Sequence, residues 1–431
     1  MSAETLSSTW STPRRAGPAG LPRVLATVRE DGRPELLRGH MRRHGTTDDA
    51  ARGSDLIAEI EASGLTGRGG GSFPTARKLR AVVGGKRRPV VVVNGAESEP
   101  ASGKDRALLR TLPHLVLDGA VLAADAVGAH EVTVGVGRRS LRERDSVAAA
   151  LAERAPERID GRVKIRLVEV PSGFVSGEET ALVHFLDGGP AKPTSVPPRP
   201  FERGVGGAPT LVQNVETLAH LALIARYGSG WFRELGTTRE PGSVLVTISG
   251  AVRRRGVHEF ELGTPLSNVV AEAGGVTGPV SGLLVGGYFG SWLAASAIEE
   301  LRLLDADLPL GARAIVVLPD DTCALGEAAR VARYLAGQSA GQCGPCVHGL
   351  DAIAGAMEQL VTGSADAAPR IRRWADMVAG RGACRHPDGA TQFVASALDV
   401  FADEVAQHAR YGRCRSTVRG VLPLPRPGAG T

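Results

Sequence analysis

Aromatic residues make up only 4% of this chain, and cysteine occupies only five of its 431 positions. Five cysteines spread over that length cannot form the disulfide framework of a small secreted domain. No run of roughly eighteen apolar residues occurs, so no transmembrane segment of its own is expected. The net charge of +5 is small for the length, and the arginines are scattered, with Arg253-Arg254-Arg255 the densest group. No basic stripe interleaved with aromatics exists, which argues against a nucleic-acid partner. The N-terminus contains a twin arginine, Arg14-Arg15, but Pro18, Arg23 and Glu30 interrupt any apolar core after it. That excludes an export signal of the usual kind, and a cytoplasmic address is expected. Residues 1–52, polar and aperiodic, are expected to form a disordered arm.

What is present is a composition of 42% hydrophobic and 23% charged residues over a length that suits several globular domains. An amphipathic DLIAEIEAS ends at Gly64 and is followed by a glycine-rich stretch, GLTGRGGGSFPTARKLRAV. Then come strand PVVVVNGAE, a helix opened by Pro113, strand EVTVGVG, helix SVAAALAERA and strand RVKIRLVEV. Strands alternating with helices of this length predict a parallel sheet covered on both faces. This α/β unit is expected over 53–238. From Ser243 the pattern changes to two strands joined near Arg254, a helix ending at Gly274-Gly275, and strands LLVGG and AIVVLP. Residues 239–318 therefore read as a small β-grasp-like module. Four helical segments over 319–412 make a bundle, and the proline-rich 413–431 reads as a loose tail.

The bundle bears on Cys343-Gly-Pro-Cys346. A C-x-x-C pair serves both thiol–disulfide exchange and metal binding. A thioredoxin-type pair sits between a strand and the helix it feeds, whereas Cys343 follows a helix, RVARYLAG. Cys384 stands at a neighbouring helix connection, GACRHPDG. Three cysteines at two adjacent connections can converge on one metal centre.

The chain resembles the flavin-carrying, NADH-oxidising subunit of respiratory complex I, a family that also supplies diaphorase subunits of soluble hydrogenases and formate dehydrogenases. The motifs that carry the resemblance are GRGGGSFP (67–74), NGAESEP (94–100), GKDR (103–106), SGFVSGEETAL (172–182) and GGAPTLVQNVETL (206–218), followed in order by the β-grasp module and GQCGPC. Any one of them is weak; their common order is not. The β-grasp module is similar to a soluble-ligand-binding module. The resemblance implies a Rossmann-like α/β domain holding FMN, and an iron–sulfur cluster, [4Fe-4S] or [3Fe-4S], in the helical bundle. It implies an oxidoreductase that passes electrons between them, with a ferredoxin, another redox subunit or a membrane redox partner beyond, and NAD(H) as a candidate donor.

The residue types suit that chemistry. Gly67, Gly69, Gly70 and Gly71, with Arg68 and Phe73, form a loop whose backbone can approach a phosphate or an isoalloxazine closely. Lys78 supplies a positive charge for an anionic flavin or phosphate. Asn94, Gln213, Asn214 and Thr217 offer polar side chains for a ribityl chain or ring edge. By the resemblance Phe174, Gly177, Glu178 and Glu179 line the nucleotide cleft, and Glu97 and Glu179 are the candidate catalytic carboxylates. The bland alternative for the Glu178-Glu179 pair is a helical first turn that complements the dipole. The implied cluster ligands are Cys343, Cys346 and Cys384.

Two departures stand out. The family's first cluster cysteine corresponds to Ala340, and a methyl group cannot bind iron. His348, Asp388 or a water would have to take the fourth iron, or the centre is [3Fe-4S]. Cys323 stands ahead of the bundle and Cys414 beyond the match. On the nucleotide side, the two aromatic stacking positions correspond to Ala81 and Arg199, the accompanying lysine to Val196, and an expected aspartate to Ala96. Lost stacking of about 1–3 kcal/mol per ring predicts NADH affinity weakened tenfold to several hundredfold. An alternative to a redox role is an assembly or docking subunit that keeps the fold and has lost the chemistry.

Overall fold

The computed structural model describes residues 17–29, 31–85, 87–303 and 310–425. Its first part contains α1 (Leu37–His44), α2 (Gly53–Ser63), α3 (Thr75–Val83), β1 (Val90–Gly95), α4 (Lys104–Thr111), α5 (Pro113–Val127), β2 (Glu131–Gly137), α6 (Leu141–Glu157), β3 (Lys164–Val170), α7 (Glu179–Leu186), β4 (Thr210–Asn214) and α8 (Val215–Phe232). The four strands are all parallel, in the order β3-β2-β1-β4. The unbroken valines of β1 fit a strand buried on both faces, and Val91, Val92 and Val93 are fully buried. Helix α5 starts with proline in its first turn and ends at Gly128 in the left-handed region. It crosses α8 so closely that a Cβ on Gly119 would lie 2.0 Å from the Leu218 carbonyl oxygen.

The middle part has β5 (Ser243–Gly250), β6 (Gly256–Glu261), α9 (Leu266–Glu272), β7 (Val280–Val285), β8 (Ser291–Ala294), α10 (Ala297–Glu300) and β9 (Ala314–Pro319). Its sheet runs β6-β5-β9-β7-β8, with only β5 and β9 parallel. Helix α9 buries Leu266, Val269 and Ala273 in this module's own core. The last part contains α11 (Ala324–Gly337), a π-helical turn over Pro345–Gly349, α12 (Leu350–Val361), α13 (Ala367–Val378), α14 (His386–Val400) and α15 (Ala402–Tyr411). Leu335, Ile353, Met357, Ile371 and Phe393 are fully buried or nearly so in its core.

Three expectations need correction. From Gly17 on, the supposed arm is packed: the Arg23, Val24 and Leu25 N–H groups all bond to Glu259 at 2.9–3.0 Å, and α1 buries His40 against Asp118 at 2.7 Å. Residues 1–16, with the twin arginine, lie outside the described residues. The supposed loose tail is tied down as far as Pro425: Thr417 pairs with Thr322, and the Arg419, Gly420 and Val421 N–H groups bond to Glu327. Residues 426–431 lie outside the described residues. The segment read as one final helix is two, α14 and α15, broken at Phe401, whose ring packs on Trp292. Among the described residues no single helix is long and apolar enough to cross a membrane; α4 and α5 pass that test only as a pair bent by 97°.

Candidate functional site

In the β3-β2-β1-β4 order the chain leaves β1 toward β2 on one side and returns as β4 on the other. The crevice beyond the carboxyl ends of β1 and β4 is therefore the switch point where open parallel sheets bind ligands. Asn94 and Asn214 face each other across that point in register. Asn94 donates from Nδ2 to the Gly177 carbonyl at 2.7 Å, while its buried Oδ1 has no partner. Asn214 caps α8 by accepting the Glu216 N–H at 3.0 Å and donates from Nδ2 to Asp105 at 2.6 Å. Gln213 is buried, with an unpartnered Nε2.

The glycine loop meets this crevice from the side. It is pinched shut by a Thr66–Pro74 bridge and by Gly67 N–H to Phe73 O at 2.8 Å. A Cβ on Gly69 would lie 3.1 Å from Asn214 Cβ, and Gly70 sits at φ +108°, which L side chains rarely adopt. Gly71 borders open space. Gly177 closes the opposite wall: its Cβ would fall 2.6 Å from the Ala96 carbonyl and 2.9 Å from Ser98 Oγ. Four segments far apart in sequence thus converge on one cradle built at backbone distance.

Not every candidate faces that cradle. Arg68 turns inward and is fully buried, donating to Thr66 O and Ser243 O, while its backbone N–H bonds to Thr217 Oγ1 at 2.8 Å. Burial, with nearby Arg313, lowers its pKa to about 10. Arg68 and Thr217 therefore brace the loop. Phe73 lies on the surface, 49% exposed, with Arg77 above its ring. Phe174 is buried among Phe289, Tyr334 and His386, against the bundle.

The carboxylates are also committed. Glu178 caps α7 by accepting the Thr180 and Ala181 N–H groups at 2.9 and 3.1 Å, so here the helical first-turn reading is the one observed. Glu179 pairs with Lys78 at 2.7 Å, which also occupies the cation expected to face a flavin. Glu97, expected as a catalytic carboxylate, is almost fully buried and accepts from Ser102 Oγ, Arg106 Nε and the Asp105 and Arg106 N–H groups. It holds the first turn of α4, an element the sequence reading omitted.

Two further features were missed. Glu99 is buried beneath Gly287 and accepts the Tyr288 and Ala101 N–H groups at 2.8 and 3.0 Å. Burial nevertheless pushes its pKa up to about 7. Beside the Asn214 wall, buried Lys104 contacts Asp105 at 2.7 Å and Glu216 at 3.0 Å. Burial would raise the pKa of Glu216, but Lys104, His220 and Arg313 hold it well below the carboxylate range. Burial raises Asp105 to about 6 despite Lys104. The signal for this network was the Lys-Asp pair of GKDR, which opens α4 with both side chains buried.

The bundle brings its three cysteines together. Cys343 and Cys346 lie close enough to interact electrostatically, with the Ala383 backbone N–H on the Cys343 side. The Cys384 sulfur receives the His386 N–H and lies within reach of the charges of Cys343, Glu178 and Asp388. Burial opposes ionisation of Cys343, yet these N–H groups hold its pKa below the usual thiol value. Burial first, and then Cys343, pushes Cys346 up to about 12. Ala340 is buried, and its backbone N–H lies on the Cys346 side of the loop. Among the described residues the groups whose ligand atoms all fall within 4.8 Å of one another do not include these three cysteines. Three thiols at two neighbouring helix connections are the donor type an iron–sulfur cluster takes. Of the other candidate fourth ligands, His348 is exposed, and Asp388 accepts the Gly380 N–H at 2.8 Å.

The crevice and the cysteines are joined by one short segment. The Phe174 N–H bonds to Gln338 at 3.0 Å, just before the cysteine loop, and Phe174 shares a core with Cys346. Three residues on, Gly177 walls the crevice. On the nucleotide side, Ala81, Val196 and Arg199 are exposed and Ala96 is buried.

Residues 60–223 match the family described as the Nuo51 FMN-binding domain, residues 326–408 the NADH-ubiquinone oxidoreductase-F iron-sulfur binding region, and residues 245–283 the SLBB domain. An NADH-quinone oxidoreductase F subunit of Rhizobium meliloti (strain 1021) is 30% identical over 380 residues, covering 84% of this chain and 90% of the relative. The NADH-quinone oxidoreductase F subunit of Mycobacterium tuberculosis (strain ATCC 25618 / H37Rv) is 32% identical over 388 residues, covering 84% and 86%. A chain of the NAD+-reducing [NiFe]-hydrogenase in its H2-reduced state superposes with a TM-score of 0.76 at 28% identity, over 84% of this chain and 63% of that one. The relatives are parts of larger redox enzymes, so a redox partner subunit is implied. This chain belongs to the family of NADH-quinone oxidoreductase F subunits: an oxidoreductase carrying FMN and an iron–sulfur cluster and passing electrons between them.

Proposed function

We propose that FMN is held at the β1/β4 switch point by the Gly67, Gly69, Gly70 and Gly71 backbone, Asn94, Gly177, Gln213 and Asn214, and that Cys343, Cys346 and Cys384 bind the cluster. The observation that supports this most is the convergence of four sequence-distant segments around the unpartnered Asn94 Oδ1. A buried acceptor without a donor costs about 1–3 kcal/mol, and a ring N–H or ribityl hydroxyl would satisfy it. FMN, when bound, converts two-electron hydride chemistry into single-electron transfer. The chain's own residues bind and orient it. The Gly177 and Gly69 walls set its distance from the backbone, Arg68 and Thr217 keep the glycine loop rigid, and Lys104 and Glu216 fix Asn214. The run from Phe174 to Glu178 spans crevice and cysteines and supplies the short route outward. The acceptor is a ferredoxin-like or membrane-bound redox subunit that docks near the exposed π-helical turn. The docking alternative draws no support from the relatives.

Gly177→Val tests the placement. The added side chain would strike the Ala96 carbonyl, so the variant should be purified with its iron but without stoichiometric FMN. Retention of stoichiometric FMN would show that the flavin lies elsewhere.

A further inference from the structure

We propose that Cys323, Glu404, His408 and Cys414 form a structural site for a zinc-class divalent cation, separate from the redox cysteines. One ligand atom from each lies within 4.8 Å of all the others. Cys323 Sγ is 3.0 Å from Glu404 Oε1 and 3.4 Å from His408 Nε2, and those two are 3.7 Å apart. Bonds of about 2.0–2.3 Å in a tetrahedron require donor atoms about 3.3–3.8 Å apart, so little movement closes the shell. The donor set, two thiolates, one imidazole and one carboxylate, is the borderline-soft mixture that zinc prefers and magnesium or calcium do not.

The surroundings are those of a metal-ligand shell. His408 donates from Nδ1–H to the Val361 carbonyl at 2.8 Å, which leaves the Nε2 lone pair aimed at the cluster. The Gly326 N–H points at Cys323 Sγ at 3.2 Å, as such groups do at bound thiolates. The Ala324 and Leu325 N–H groups orient Glu404 at 3.2 and 3.0 Å. The four ligands come from three separate pieces: the start of α11, one face of α15, and the segment beyond it. The ion would close the bundle by clamping that segment, which then runs on through the Thr322–Thr417 pairing to Glu327. Binding would convert two neutral thiols to thiolates, with release of two protons.

The test uses the full chain with its cofactors, purified anaerobically and given Zn2+ alone, with bound zinc and iron measured after dialysis. Wild type should hold one zinc per chain. Cys414→Ser removes a half-buried ligand at the edge of the bundle's core and keeps nearly the same volume. It should bind zinc on the order of a hundredfold more weakly while keeping FMN and iron, and Cys414→His should restore binding. A Cys343→Ser/Cys346→Ser/Cys384→Ser variant should keep the zinc, which separates this site from a mismetallated cluster. With Co2+ as the probe, wild type should show thiolate-to-cobalt absorption that C414S lacks. Zinc content identical in wild type and C414S, or a zinc-free wild type with a Cys323–Cys414 disulfide, would overturn the proposal.

Discussion

Glu99 carries a pH dependence that can be read directly. Its ordinary pKa of 4.5 applies unfolded, and burial raises it to about 7 in the fold. Between those values the folded chain holds a proton that the unfolded chain has lost. Stability is therefore fully present below about 4.5, falls as pH rises to about 7, and is level above. The change is on the order of 3 kcal/mol. Glu99→Gln keeps an acceptor for the Tyr288 and Ala101 N–H groups and should flatten this slope in a series of thermal melts. An unchanged slope would assign the effect to another group, such as Asp105. At this scale the sequence is legible where a motif constrains the backbone: Gly69 and Gly177 leave no room for a side chain and Gly70 sits at φ +108°. The partners of Glu97 and Glu178 were not legible, because they depend on which helix terminus lies beside each carboxylate, and α4 was not foreseen.

The cysteine loop between α11 and α12 carries Ala340 where the resemblance implies a fourth thiol. Ala340 is buried, with its backbone N–H on the Cys346 side of the loop. Ala340→Cys should complete a four-thiolate shell and lengthen the cluster's lifetime in air several-fold. The check is iron retention and the electron paramagnetic resonance signal over time. Wild type, with one iron held differently, should instead show a [3Fe-4S] signal or a [4Fe-4S] signal that shifts when a thiol is added. Most elements were legible because hydrophobic period and turn residues agree, as in β1 or in α5 between Pro113 and Gly128. Some of those not read are short, such as β8 and α10 with four residues each, but the 18-residue α8 was passed over too. The break at Phe401 has no Pro or Gly to announce it; only the packing of that ring on Trp292 does.

Across the whole molecule, the arm and tail were misread for one reason. Both are held by polar groups, half-buried Glu259 and buried Asp118 for the arm and buried Glu327 for the tail, and a reading based on apolar periodicity does not register such ties. The order of the three parts, in contrast, was legible because each has its own sequence period. The nucleotide side, as the resemblance implies it, predicts weak NADH recognition. With Ala81 and Arg199 at the stacking positions and Ala96 at the acidic one, reduction of bound flavin by micromolar NADH should be slow or absent in stopped-flow absorbance. Rapid reduction would mean that other side chains recognise the dinucleotide.

The central claim, electron transfer between a flavin in the switch-point crevice and a cluster on three cysteines, is tested most directly by the cofactor content of anaerobically purified protein. Flavin, iron and acid-labile sulfide should be found together, with one FMN per chain and iron and sulfide in cluster ratio. Cys384→Ser should lose the iron and keep the flavin. A colourless wild-type protein, free of iron and with Cys343 and Cys346 joined as a disulfide, would contradict the account.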